Sequence, residues 1–308
     1  MAVLAEPVAQ AARTSLWSRA LENRNFLGVL FMLPALAILI LFLAYPLALG
    51  FYLGTTDTKI GGAGRFIGLA NFVSLAKDSV FWLSVFNTIF YTVTASVVKF
   101  AVGLYLALLL NERLPFKSML RAIVLLPFVV PTVLSAIAFW WIYDSQFSIV
   151  SWVLIKAGLM QRYIDFLGDP WNARWAVVVA NIWRGVPFVA ITLLAGLQTI
   201  SPSLYEAANL DGATNWQRFR HITLPMLSPI IAVVMTFTDF QLIYTITRGG
   251  PINATHLMAT LSFQRAITGG NLGEGAAISN AMIPFLVAAI LLSFFGLQRT
   301  RWQQGGRD

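Results

Sequence analysis

Cysteine is absent from the 308 residues. That excludes disulfides, thiolate metal sites and a cysteine nucleophile. Histidine occurs only as His221 and His256, too far apart for an HExxH-type metal pair. No G-x-x-x-x-G-K-[ST] phosphate loop is present, and Lys117-Ser118 follows Phe116 rather than glycine. The chain therefore carries no recognisable means of binding ATP. Charge is scarce: Asp, Glu, Lys and Arg make up 11%, against about 25% in a soluble domain. The net charge of +8 comes without the basic stripe that nucleic acid needs, so no nucleic-acid partner is expected. Apolar residues reach 58% and the mean hydropathy is +0.73. The solvent for most of this chain is lipid.

Six apolar stretches are long enough to cross about 30 Å of hydrocarbon as helices. They run near 26–53, 82–110, 118–142, 175–199, 226–246 and 276–297. Continuous apolar runs exclude the alternating pattern of a β-barrel, and a spanning backbone must satisfy its own hydrogen bonds. The sequence predicts an all-α integral membrane protein with six transmembrane helices. Residues 1–25 form a polar lead, 26–298 the membrane domain and 299–308 a short tail. The first run is too long for the apolar core of a cleavable signal peptide. With the N-terminus inside, the inner segments hold more Lys and Arg than the longer outer ones. Both termini are predicted to be cytoplasmic. Lys99 and Arg184 fall within spans, and Arg174 in an outer segment. The outer loops, rich in Gly, Asn and aromatics, can form short amphipathic pieces and present a docking surface.

The most informative segment lies between spans four and five, over residues 201–225: SPSLYEAANLDGATNWQRFRHITLP. Ser203 and Glu206 have capping-box spacing, so a helix is predicted to begin there. Leu204, Ala207, Ala208 and Asp211 share one helical face. Gly212 suits a left-handed position after the helix end. Thr214 can cap a second short helix with Trp216, Phe219 and Thr223 on one side. Pro225 marks the passage into span five. On pattern alone, a helix–turn–helix that docks a partner and an amphipathic piece lying in the headgroup layer are both open.

EAANLDGA followed by WQRF and ITLP resembles the EAA loop of binding-protein-dependent ABC import permeases, closest to the carbohydrate-uptake, maltose-type subfamily. NIWRGVPFVAITLLAGLQTISPSLYEAA upstream, DFQLIYTITRGGP downstream and FIGLANFV near the first outer loop extend the resemblance over about residues 26–298. It implies a type I ABC importer permease fold in a bacterial-type cytoplasmic (inner) membrane. It also implies two copies of an ATP-binding subunit, a second homologous permease, an extracytoplasmic solute-binding protein and a sugar-like substrate. ATP and Mg would be bound by the partner subunits, with no cofactor held by this chain. Carried over, Glu206, Ala207, Ala208, Asp211 and Gly212 form the ATPase-coupling surface. The stretch from Pro225 to the Gly249–Pro251 motif is several residues shorter than the family pattern, which weakens residue-by-residue transfer into span five.

Polar groups in spans are costly and mark functional hypotheses. Asn181 and Gly185 lie four apart on one face, in a part of span four that borders the transport cavity in the resembling family. Arg184 sits beside them, and Pro187 is expected to break the helix there. Asp239 and Gln241 belong to a polar cluster in span five. These five are the substrate-pathway candidates, against a structural reading in which they pair or pack between helices. The rival function class is a secondary transporter driven by an ion gradient, for which Asp239 is the one acidic candidate well inside a span.

Overall fold

A computed structural model describes residues 24–112, 114–227 and 240–304. All regular structure among these residues is helical, apart from an isolated antiparallel bridge between Thr56 and Phe66. The chain divides into two compact units, one ending at Tyr52 and the other beginning at Leu53. Helix α1, Arg24–Gly54, is 31 residues long and forms nearly all that is described of the first unit. It contains a π turn at Ile40–Ala44, in which the Tyr45 N–H donates to the Ile40 carbonyl. Pro46 follows directly. Proline lacks an N–H and its ring collides with the preceding turn, and the wider π turn relieves both.

In the second unit, α2 (Ala70–Lys77) precedes α3 (Ser79–Asn111). Asp78 caps α3 by accepting from the Val80 N–H at 2.8 Å. Next come α4 (Lys117–Val129), α5 (Thr132–Ile142) and α6 (Ile149–Lys156). The long α7 (Pro170–Thr199) starts where Asp169 Oδ1 accepts from the Trp171 and Asn172 N–H groups, both at 2.9 Å. Helices α8 (Pro202–Leu210) and α9 (Asn215–Arg218) form the connecting loop. Helix α10 (Phe240–Ile246), α11 (Met258–Phe263) and α12 (Leu272–Gln304) complete the order.

Among the described residues, three helices are long and apolar enough to cross a membrane: α1, α3 and α7. The expected single span 118–142 is instead two helices, α4 and α5, bent by 85°. Val130 is extended (φ −64°, ψ 128°) because it precedes Pro131, which disfavours the helical basin. Pro187 behaves in the opposite way. The expected break does not occur, and α7 runs unbroken through a buried Pro187. Much of the stretch expected as span five lies outside the described residues. Arg174, expected in an outer segment, is in α7 and buried.

Helices in lipid gain little from burying apolar surface against one another, so they associate where small residues let backbones approach. The α3–α7 seam follows this rule. Ala95, Ala107, Ala180 and Ala190 are fully buried or nearly so. A Cβ placed on Gly103 would lie 2.6 Å from Val189 Cγ1 and 3.2 Å from the Ala190 nitrogen. Buried Lys99 runs its aliphatic stem across Gly185, where a Cβ would stand 2.5 Å from Lys99 Cδ. One apolar cluster extends the seam with Leu104, Leu110, Leu193, Leu194 and Leu197. A second joins Tyr91, Ala136 and Ala176 to Leu242, Ile243 and Ile246 of α10.

Gly103→Val is expected to lower the melting temperature of the purified chain by several degrees, since overpacking of this kind costs about 1–3 kcal/mol. Gly28→Ala, where nothing lies within 4 Å, leaves it unchanged. Equal melting curves for the two variants would contradict the close seam.

Candidate functional site

The 201–225 loop is a helix–turn–helix held by its own backbone. Helix α8 begins with Ser201 at the N-cap and Pro202 at the first position. This corrects the expected Ser203–Glu206 box. Pro202, pre-set for the first helical position, starts the helix two residues early. Ser203 and Glu206 then fall at the second and fifth helical positions, where the box cannot close. Ser201 Oγ meets Ser203 Oγ at 2.8 Å instead, and Glu206 is exposed in the second turn.

The other end of α8 is closed as the sequence predicts. Gly212 has φ +73°. Its N–H donates to the Asn209 carbonyl at 3.1 Å, and the Ala213 N–H donates to the Ala208 carbonyl at 2.9 Å. These two bonds are a Schellman closure, and a side chain at position 212 would be strained in it. Thr214 then caps α9: the Gln217 N–H donates to Thr214 Oγ1 at 3.3 Å, and Gln217 Oε1 accepts from the Thr214 N–H at 2.8 Å. The Arg218 guanidinium bonds Asn209 of α8 and Asn215 of α9, bracing the turn from outside. A π turn at Phe219–Thr223 follows, with the Leu224 N–H donating to the Phe219 carbonyl immediately before Pro225.

The loop has two sides. Tyr205, Phe219 and Ile222 pack inward on the Leu104–Leu110 and Leu193–Ile200 cluster. Glu206, Ala207, Asp211 and Gly212 are exposed, and Ala208 is half-buried. Leu210 is 90% and Trp216 66% exposed. A small-residue face flanked by two protruding apolar side chains can receive a partner closely, because Ala and Gly keep the backbone near the surface.

The substrate-pathway candidates fall in different surroundings. Asn181 is buried, and Gly185 lies beneath Lys99 in the α3–α7 seam. Arg184 is half-buried, its guanidinium carbon 6.0 Å from the centre of the Phe128 ring of α4. Phe128 in turn stacks on Phe188. Gln241 is exposed on α10, and Asp239 lies outside the described residues.

At the opposite end of α3 and α7 is a polar network that sequence reasoning missed. Arg174 Nε donates to Asn87 Oδ1 at 2.9 Å. Asn87 Nδ2 donates to the carbonyls of His256 at 3.1 Å and Asn253 at 3.3 Å. Met258 N–H donates to Thr88 Oγ1 at 3.0 Å. The segment 247–257 is thus fastened to α3 directly and to α7 through the Asn87–Arg174 bond. Inside it, Thr255 Oγ1 donates to the Gly250 carbonyl at 2.7 Å. His256 is 1% exposed, its ring pressed against Gly249 and its Nδ1 3.1 Å from Thr260 Oγ1. The only signal in the sequence was an asparagine and an arginine beside apolar runs, with nothing to pair them.

The family described as "Binding-protein-dependent transport system inner membrane component" matches residues 99–304. Trehalose/maltose transport system permease protein MalF of Thermococcus litoralis is 37% identical over 275 residues, covering 87% of this chain and 90% of that protein. Sulfoquinovosyl glycerol transport system permease protein SmoG of Agrobacterium fabrum is 34% identical over 287 residues, covering 90% and 92%. Among solved structures, a chain of a bacterial ABC transporter that imports the acidic polysaccharide alginate superposes with a TM-score of 0.76 at 25% identity, over 95% of this chain and 99% of that one. A chain of a bacterial alginate ABC transporter in complex with its pentasaccharide-bound periplasmic protein gives a TM-score of 0.75, also at 25% identity, over 94% and 98%.

Burial, and then the Arg265 charge, push the His256 pKa down from 6.5 to about 4 against a hydrogen bond that the charged ring donates to Gln264. Between these values the unfolded chain binds the proton and the folded chain does not. The contribution to stability is therefore full above pH 6.5 and is lost as pH falls toward 4. The melting temperature should drop more steeply over this interval in the wild type than in His256→Gln. Parallel pH profiles would show that the ring already carries its proton when buried.

Proposed function

The chain belongs to the family of binding-protein-dependent transport system inner membrane components, and on that premise we propose a division of labour for its parts. It is a permease subunit that lies in the cytoplasmic (inner) membrane of a bacterial-type cell, crosses it six times and keeps both termini inside. The span count extends the three long helices by the bent α4–α5 pair, the stretch 226–246 and α12. The solute is a sugar or related polyhydroxy compound, as the names of the trehalose/maltose and sulfoquinovosyl glycerol relatives suggest. An extracytoplasmic solute-binding protein delivers it, as the alginate transporter's complex with its periplasmic protein suggests.

The observation that carries the coupling role is the two-sided 201–225 loop, seated on the α3–α7 cluster with its small-residue face outward. Glu206, Ala207, Ala208, Asp211 and Gly212 form the docking face for an ATP-binding subunit, of which the assembly holds two copies together with a second homologous permease. Hydrolysis belongs to those subunits, which bind ATP and Mg; this chain hydrolyses nothing. The coupling is thermodynamic. Closure of the ATPase pair can open the pathway outward only by binding one state of the permease better than the other. Asn181, Arg184, Gly185, Asp239 and Gln241 are the proposed contacts along the half-pathway this chain supplies.

The test is to purify the assembly in detergent with wild-type chain, Glu206→Lys or Gly212→Trp, and to measure uptake in proteoliposomes. Wild type should bring down the ATPase subunit, a second permease and the binding protein, with uptake that requires ATP. Either substitution should cut the bound ATPase about tenfold or more, the loss expected at a central contact. A chain that purifies alone, or uptake driven by an ion gradient without ATP, would replace this reading with a secondary transporter.

A further inference from the structure

Helix α8 is exposed along Ser203, Leu204, Glu206, Ala207 and Leu210, and turns Tyr205 inward. The Tyr205 ring rests on the apolar cluster, while its hydroxyl lies 2.9 Å from Thr223 Oγ1. Thr223 is 5% exposed. It ends the π turn that leads through Pro225 to the fully buried Leu227. Of the 17 residues between Tyr205 and Thr223, those up to Arg218 are held stiff by the Schellman closure at Gly212, the Thr214–Gln217 box and the Arg218 brace, and the π turn follows them. Apolar contacts can slide past one another at small cost. A hydroxyl pair fixes direction and distance, and breaking this one leaves the buried Thr223 hydroxyl without its partner.

The place where this bond lands matters. A π turn holds one residue more than an α turn, so it can take up a small axial shift with its hydrogen bonds retained. Thr223 is the last residue of such a turn, directly before the stretch expected as span five. We propose that Tyr205 and Thr223 are positioning residues that carry displacement of the docking helix into the start of that span, with the π turn as the compliant element between them. The inference rests on the ATPase-docking role given above and adds the route by which docking is felt in the membrane.

The experiment uses the complete assembly with ATPase, binding protein and solute. Tyr205→Phe and Thr223→Val each remove a hydroxyl and keep the ring or the volume. The bound ATPase should match wild type, and the melting temperature should fall by no more than a few degrees, the cost of about one net hydrogen bond. The ratio of solute-stimulated to basal ATP hydrolysis, and the uptake per ATP, should fall roughly fivefold in each variant, the population change commanded by about one net hydrogen bond. The double variant should fall no further, because both changes delete the same bond. An unchanged ratio in either single variant, or an additive loss in the double, overturns the proposal. Loss of the ATPase subunit from the variants also overturns it, since the pair would then serve docking and not transmission. Absence of ATP-driven uptake in the unsubstituted assembly removes the docking role and this inference together, and it is seen before any hydroxyl is deleted.

Discussion

The close approach of α3 and α7 at Gly103 and Gly185 is the contact on which the others hang. In lipid there is no water to expel from between helices, so a seam this tight is held by dispersion between backbones that only glycine and alanine allow to meet. It also fixes register. A slip of one residue turns a helix face by about 100°, which would carry Asn87 away from Arg174 at one end and the Leu104–Leu110 stripe away from Leu193–Leu197 at the other. The first loss unfastens the 247–257 segment; the second removes the platform under Tyr205, Phe219 and Ile222. The site at each end of the bundle is thus a consequence of one small-residue interface between them.

Four prolines of this chain show three outcomes. Pro46 and Pro225 each follow a π turn, which supplies the extra residue needed to clear the ring without losing the ladder. Pro131 is exposed, follows Val130 in an extended conformation and ends one helix at an 85° bend. Pro187 is buried in the seam with Val186, Val189 and Ala190, and packing on its flanks keeps the helix running. The intrinsic preference of proline is the same in all four places. Neighbouring helices can hold a missing hydrogen bond in shape where they surround it; at Pro131 the local preference prevails.

The same distinction explains what could be read from the sequence. The helical class, Gly212 in the left-handed region and Thr214 as a cap are local properties, and they stand in the structure as the residues dictate. The Ser203–Glu206 box failed for a local reason as well: Pro202 claimed the first helical position and shifted the frame. The partners of buried polar groups were not legible. Asn87 meets carbonyls more than 160 residues away, and Tyr205 meets Thr223 across a turn whose geometry depends on three separate closures. Pattern reading places a residue on a face of its own helix; it has no term for which face of another helix arrives opposite.

That limit bears on the pathway. Helix α7 presents three faces with different neighbours. Gly185 turns into the seam beneath Lys99, with buried Asn181 four residues away on the same side. Arg184 and Phe188 address Phe128 of α4. Trp175, Val179 and Trp183 recur every fourth residue on an exposed stripe. A solute moving along α7 can reach the Asn181–Gly185 face only if α3 withdraws from a closely packed seam. Arg184 and Gln241 already have surface available in this arrangement. The pair chosen for helical spacing would join them once the two helices part. In this arrangement Gly185 is also the gap that lets a buried lysine stem cross between two helices, a packing role that four-residue spacing alone could not tell from a binding one.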